Sequence, residues 1–154
     1  MAIITYTDGA IFQAGQFVAQ SFTVDTTQGV FVTPDTPADE TVSLAGQYVV
    51  PGLINAHTHV TDLVAADQSP APTNMTEAEV TVFAQKNLRD LLLDGVTTIR
   101  NVGSFANIDL SLARLEQLGT ITAPLIVGSG PALTMTGGHG SAGIAREVDG
   151  PDEV

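Results

Sequence analysis

The residues of this chain best suited to chemistry are its three histidines, and two of them, His57 and His59, stand two positions apart. In an extended strand, side chains at i and i+2 point to the same face. Two imidazoles so placed can grip one divalent ion, with bonds of roughly 2.0–2.1 Å if the ion is zinc. Thr58 then points the other way, into whatever packs behind. The pair alone is weak evidence, because two surface or hydrogen-bonded histidines give the same spacing. The chain has no cysteine, which excludes disulfides, thiolate metal sites and cysteine nucleophiles together. Any metal must bind through imidazole and oxygen.

The third histidine lies in the run Thr134-Met135-Thr136-Gly137-Gly138-His139-Gly140. Glycines let a backbone come close to a ligand and adopt positive φ. A neutral His139 can hydrogen-bond a substrate carbonyl or carboxylate, which is the favoured role, or it can tie down its own loop. A metal-ligand role ranks below both. A phosphate-cradling loop is the other chemistry such glycines suggest, but no Gly-Lys-Ser/Thr follows and the local charge is not basic. Lys86, the sole lysine, falls inside a predicted helix beside Asn87 and Arg89. It reads as a solvated residue on the polar side.

Bulk properties narrow the class. The length of 154 residues suits one domain with a sizeable core, and 44% hydrophobic against 14% charged residues argues for a folded interior. Five Lys plus Arg against seventeen Asp plus Glu leave a net charge of −12. That field repels phosphate backbones and anionic lipid, so no nucleic-acid or membrane partner is expected. The start MAIITYTDGA lacks a basic region followed by an apolar stretch, and no apolar run approaches roughly 20 residues. A cytoplasmic location is the expectation.

The elements that must position the histidines follow from periodicity and turn chemistry. Residues 1–50 read as short strands and turns, a small antiparallel β unit broken by Pro34 and Pro37. After Pro51-Gly52, Leu53 to Val60 is one strand-like run carrying both His57 and His59, followed by a polar loop over Asp67 to Asn74. Thr76 and Glu79 make a capping box, Val80, Phe83, Ala84, Leu88, Leu91 and Leu92 share one helix face, and Gly95 closes the helix. Val96 to Ile99 is a strand, Ile108, Leu112, Leu115 and Leu118 mark a second helix, and Ala123 to Val127 is a third buried strand. This order predicts βαβ units around a parallel sheet. Gly150-Pro151-Asp152-Glu153 reads as the first turn of a further helix.

The run Val49-Val50-Pro51-Gly52-Leu53-Ile54-Asn55-Ala56-His57-Thr58-His59 closely resembles the barrel opening of the amidohydrolase superfamily. There an apolar pair, Pro-Gly, an aliphatic pair, Asp or Asn and Ala or Gly precede His-x-His. Asp94-Gly95-Val96-Thr97-Thr98-Ile99-Arg100-Asn101-Val102-Gly103 is similar to the second strand of the imidazolonepropionase-like and prolidase-like branch, and Thr134 to Gly140 resembles the segment that follows that branch's third strand and opens to the site. The branch often has Arg-Asp where this chain has Arg100-Asn101, so Asn101 is given no acid/base role. Arg100 is equally readable as a structural ion pair beneath the site.

The resemblance implies an α/β fold. Residues 1–50 would form part of a small β-sandwich-type segment, and 51–154 the first three or so βα units of an incomplete (β/α)8 TIM barrel. A complete barrel needs roughly 250 residues. The implied cofactor is one or two divalent ions, zinc expected, held in part by His57 and His59. The further ligands of the superfamily are a bridging lysine, usually carboxylated, two more histidines and an aspartate. Lys86 is rejected as that lysine, and all four are expected beyond Val154. The implied activity is hydrolysis of an amide, first a prolidase-like dipeptide and second an imidazolonepropionase-like cyclic amide. Its partners would be that substrate, the remainder of the barrel on this or a second chain, and further copies in a homo-oligomer. The competing expectation is an inactive fragment that binds metal weakly or associates with a partner chain.

Overall fold

The computed structural model describes residues 2–62, 75–141 and 143–154 as a mixed α/β chain, divided into two compact units, Met1–Pro51 and Gly52–Val154. The polar loop expected over Asp67 to Asn74 lies outside the described residues.

The first unit holds seven short strands: β1 (Ile3–Thr7), β2 (Ala10–Gln13), β3 (Gln16–Ala19), β4 (Phe22–Asp25), β5 (Val30–Val32), β6 (Glu40–Ser43) and β7 (Tyr48–Val49). They form two sheets, ordered β5-β4-β1-β6 and β3-β2-β7. The hairpin pairs are antiparallel, but β6 runs parallel to β1 and β7 parallel to β2. The unit is therefore mixed where an antiparallel one was expected. Periodicity marks strands without stating their direction. Here Asp39 N donating to Ile3 O and Leu44 N to Thr7 O bring the returning chain alongside β1 in the same sense. Thr23, buried in β4, meets the Thr5 hydroxyl at 2.9 Å, so its polar atom is satisfied.

In the second unit β8 (Leu53–Thr58), α1 (Glu77–Leu93), β9 (Val96–Asn101), α2 (Ile108–Gln117) and β10 (Leu125–Val127) build a parallel sheet of order β10-β9-β8. A 3-10 turn over Phe105–Asn107 leads into α2. The Thr76 hydroxyl and Glu79 close the capping box of α1, and the Thr76 backbone N–H, then its hydroxyl, hold the Glu79 carboxyl below its usual range. Gly95, at φ +85°, ends the helix in a conformation that costs other residues strain.

Val80, Ala84 and Leu88 of α1 pack with Ile99, Ile126 and the α2 residues Ile108, Leu112 and Ala113 into the core. Each large side chain so buried contributes about 1.5–3 kcal/mol. Residues on the opposite side of the sheet stay open: Ile54, Leu125 and Val127 are all exposed. No helix among the described residues is long and apolar enough to cross a membrane. Gly150 to Glu153 form a turn closed by Glu153 N on Gly150 O, and Arg146 donates to the Glu153 carbonyl.

Two further strands, β11 (Ala132–Thr134) and β12 (Ala145–Glu147), pair in parallel within the Gly-rich segment. Three-residue strands without alternation carry no period-2 signal, which is why sequence alone read this segment as loop.

Gly52 shows why Pro51 must be followed by glycine. A Cβ there would lie 2.0 Å from Thr97 Oγ1, and one residue on, Leu53 N donates to Gly95 O at 2.9 Å. The substitution Gly52→Ala is expected to pry β9 from the start of β8 and destabilise the chain by about 1–3 kcal/mol. Thermal unfolding followed by circular dichroism measures it. An unchanged midpoint contradicts the close approach.

Candidate metal centre

The C-terminal end of β8 is shaped by how its pairing with β9 stops. The register runs Asn55↔Ile99 and Thr58↔Asn101, with an irregularity between them. Val102 N donates to Thr58 O, after which Val60 N turns instead to the Asn101 side-chain oxygen at 2.8 Å. Asp62 N donates back to His59 O and closes a turn. The strand therefore ends at Thr58. His57 lies within it and His59 one residue beyond, whereas one continuous strand to Val60 was expected. The Asn101 side chain takes the place of the next backbone partner.

This ending brings the two rings together without making them parallel. Their centres are 5.3 Å apart and their planes 80° apart. That separation is close to the about 5 Å between the ring centres of two imidazoles that share one tetrahedral ion with bonds of about 2.0–2.1 Å. His57 is exposed and His59 half-buried. His59 Nδ1 sits 3.2 Å from the Gly103 carbonyl oxygen. A carbonyl only accepts, so in this hydrogen bond Nδ1 carries the proton.

Gly103 gives His59 a surface to lie on. A Cβ at 103 would come within 3.2 Å of Nδ1, 3.3 Å of Cε1 and 3.3 Å of the Ala132 Cβ. β11 thus comes close to the loop after β9 at a position where a side chain would have to push its neighbours aside.

Among the described residues no group of three or more His, Asp or Glu side chains is placed to hold a metal, so His139 does not join the pair. His139 is exposed, on the loop between β11 and β12. That loop is tied by acids: Thr136 donates through its N–H and hydroxyl to Asp149, and Gly137 N donates to Glu147 at 2.8 Å. Among the described residues the His139 ring makes none of these ties. Lys86 pairs with Asp90 at 2.6 Å on the exposed face of α1, an i,i+4 contact. Arg100 is exposed, and among the described residues no ion pair forms beneath the histidines.

The sequence reading missed Asn101 and Asp109 as structural parts of the site. Both are fully buried, and the Asn101 amide bridges Val60 N, Gly103 O and Asp109. A signal was available, since Asp109 stands between Ile108 and Leu110 near the buried stripe of α2.

Residues 48–154 match the amidohydrolase family. No curated protein matches the chain. Among solved structures, a prolidase complexed with N-methylphosphonate-L-proline superposes with a TM-score of 0.78 at 24% identity, over 98% of this chain and 41% of that one. A Xaa-Pro dipeptidase with methionine bound in its active site gives 0.71 at 22%, over 89% and 35%. The A. niger ochratoxinase gives 0.66 at 19%, over 99% and 42%. The chain thus spans well under half the length of these structures.

Two outcomes test the local geometry. Gly103→Ala keeps the accepting carbonyl but is expected to displace the His59 ring and weaken zinc binding by up to about 10-fold; isothermal titration reads it, and an unchanged affinity removes Gly103 from the site. Asp149 lies below the usual 3.8 because the Thr136 hydroxyl and then its N–H hold the charged form. A depressed carboxyl stabilises the folded loop above its unfolded pKa, and that stability is lost as pH falls through the folded value. Thr136→Val therefore moves the Asp149 titration upward in carboxyl-carbon NMR; no movement refutes the assignment.

Proposed function

Since the chain belongs to the amidohydrolase family through residues 48–154, we propose that it forms the opening part of a metal-dependent hydrolase of C–N bonds in amides, with a prolidase-like dipeptide as substrate. The observation that carries this reading is the His57–His59 pair at the end of β8, its rings 5.3 Å apart. Three parallel strands alternating with helices support the start of a (β/α)8 barrel, and the two small sheets before Pro51 support a sandwich-type segment. Catalytic groups of such barrels sit at the C-terminal ends of strands, which is where His57 and His59 stand.

In this proposal His57 and His59 donate imidazole nitrogens to a divalent ion, zinc being the expected species. When bound, the ion acts as a Lewis acid that lowers the pKa of water and polarises the carbonyl under attack. The chain's own residues do the positioning. Gly103 O holds the proton of His59 on Nδ1, and the Asn101 amide holds the turn that carries His59. His139, on a loop braced by Asp149 and Glu147, would donate to the substrate carbonyl or pair with its carboxylate. Two imidazoles are fewer than the three protein ligands of a catalytic zinc site. The remaining ligands, a bridging lysine, two histidines and an aspartate, would come from the further units of the barrel.

The dipeptide assignment draws on the prolidase and the Xaa-Pro dipeptidase among the structural neighbours, while a cyclic amide of the imidazolonepropionase kind is the second candidate. One observation favours a different reading for the chain taken alone. With two ligands among its described residues, it would bind metal weakly or serve a partner chain without turning over substrate.

A panel of Xaa-Pro dipeptides and cyclic amides, assayed with and without zinc on the polypeptide that carries this chain, separates these readings. Zinc-dependent hydrolysis is expected. His57→Ala and His59→Ala are each expected to lose bound metal and to lower turnover by more than about 100-fold, beyond what loss of an outer partner costs. Full activity and metal content in either variant overturns the ligand assignment. Absence of hydrolysis with zinc bound establishes the non-catalytic reading.

A further inference from the structure

Outside the histidine pair, the most constrained group in the second unit is Asp109, at the start of α2. Its side chain is fully buried and accepts four hydrogen bonds: Leu110 N on Oδ1, and Asn101 Nδ2, Ser129 N and Gly130 N on Oδ2, all within 3.1 Å. Four donors for two carboxylate oxygens is what a buried acid needs in place of water. One of these donors is itself part of a longer chain. The Asn101 amide nitrogen that meets Asp109 also donates to Gly103 O at 3.0 Å, and Gly103 O accepts from His59 Nδ1.

We propose that Asp109 is a positioning residue for His59, acting through Asn101 and the Gly103 carbonyl to keep the proton of His59 on Nδ1 and Nε2 bare. This rests on the reading of His59 as a metal ligand. Because Asp109 presents only acceptors to Asn101, it adds to Val60 N and Gly103 O in setting which end of that amide faces which way. The nitrogen must turn toward Asp109 and Gly103, leaving the oxygen for Val60 N, the residue after His59. Asn101 thereby holds His59 from two sides, at its own backbone neighbour and at the carbonyl its ring binds. Outer partners of this kind fix the tautomer and direction of ligating histidines.

The same geometry explains Asn101 itself. A carboxylate at 101 could accept from Val60 N but could donate neither to Gly103 O nor to Asp109, and it would place two acids side by side in a buried site. An amide is the side chain of this size that offers an acceptor on one end and two donors on the other.

The test uses the polypeptide that carries this chain, labelled with 15N in its imidazoles. Long-range proton–nitrogen spectra read the tautomer of His59, and titration with zinc reads affinity. In the parent chain, His59 is expected to be predominantly the Nδ1–H form. Asp109→Asn keeps shape and removes acceptor-only character, and is expected to give a mixed tautomer with zinc affinity weakened about 10–100-fold. Asn101→Asp, which keeps the bond to Val60 N but loses both donations, is expected to do the same and serves if Asp109→Asn fails to fold. Leu112→Ala destabilises the core without touching the relay and is expected to leave the tautomer unchanged. A parent-like tautomer in a folded variant at 109 or 101 overturns the proposal, as does an equal shift in Leu112→Ala. If His57→Ala and His59→Ala leave zinc binding intact, the metal-site reading fails, and the tautomer result still decides the relay.

Discussion

A carboxyl with no exposed surface has to be answered by donors from every direction, and at Asp109 those donors come from three different parts of the second unit. Asn101 brings the end of β9, Leu110 the first turn of α2, and Ser129 with Gly130 the loop after β10. Leaving any of these groups unpaired in a buried site costs about 1–3 kcal/mol, so the segments are held in one mutual arrangement. Apolar packing beneath supplies most of the favourable energy, through Leu88, Ile99 and Leu112. It does not by itself determine where strand ends stop. The polar cluster does, and the histidines sit on the ends it positions.

The site divides into parts that follow from neighbouring residues and parts that need the whole unit. Chain spacing alone puts His57 and His59 near each other, but their ring angle of 80° reflects the early end of β8. His59 leaves the strand direction because Asn101 captures Val60 N, and it rests on Gly103 because no side chain intervenes. His139 belongs to a separate small construction, two short parallel strands joined by a loop that Asp149 and Glu147 brace. Its histidine stands free of that bracing.

Much of this was legible before any coordinates, and the limits have physical causes. The capping box at Thr76 and Glu79, the stop at Gly95 and the stripe of Val80, Ala84 and Leu88 were readable because helices repeat in sequence what they do in space. The order of the second unit followed from the same periodicity. Strand direction in the first unit was not readable, since β6 and β7 look alike whether they run with or against their partners. Nor were β11 and β12, too short to alternate. Asn101 and Asp109 were hidden for another reason. A buried polar pair leaves no periodic trace, and its meaning lies in which distant backbone groups it meets. The glycines at 52 and 103 are intermediate: the run after Pro51 flagged the first, while the ring pressed on the second is visible only in space.

The parallel β10-β9-β8 sheet carries a consequence for how the chain is made. Each strand finds its partner one helix later, so a nascent chain leaving the ribosome can dock every new strand–helix unit onto the one already formed. Contacts of moderate separation favour such stepwise growth over a search of the whole chain. At each stage the latest strand has an unpaired edge, and Ile54, Leu125 and Val127 look outward from the sheet. Until something covers them, the growing protein offers the kind of surface that chaperones hold and that neighbouring nascent chains can seize.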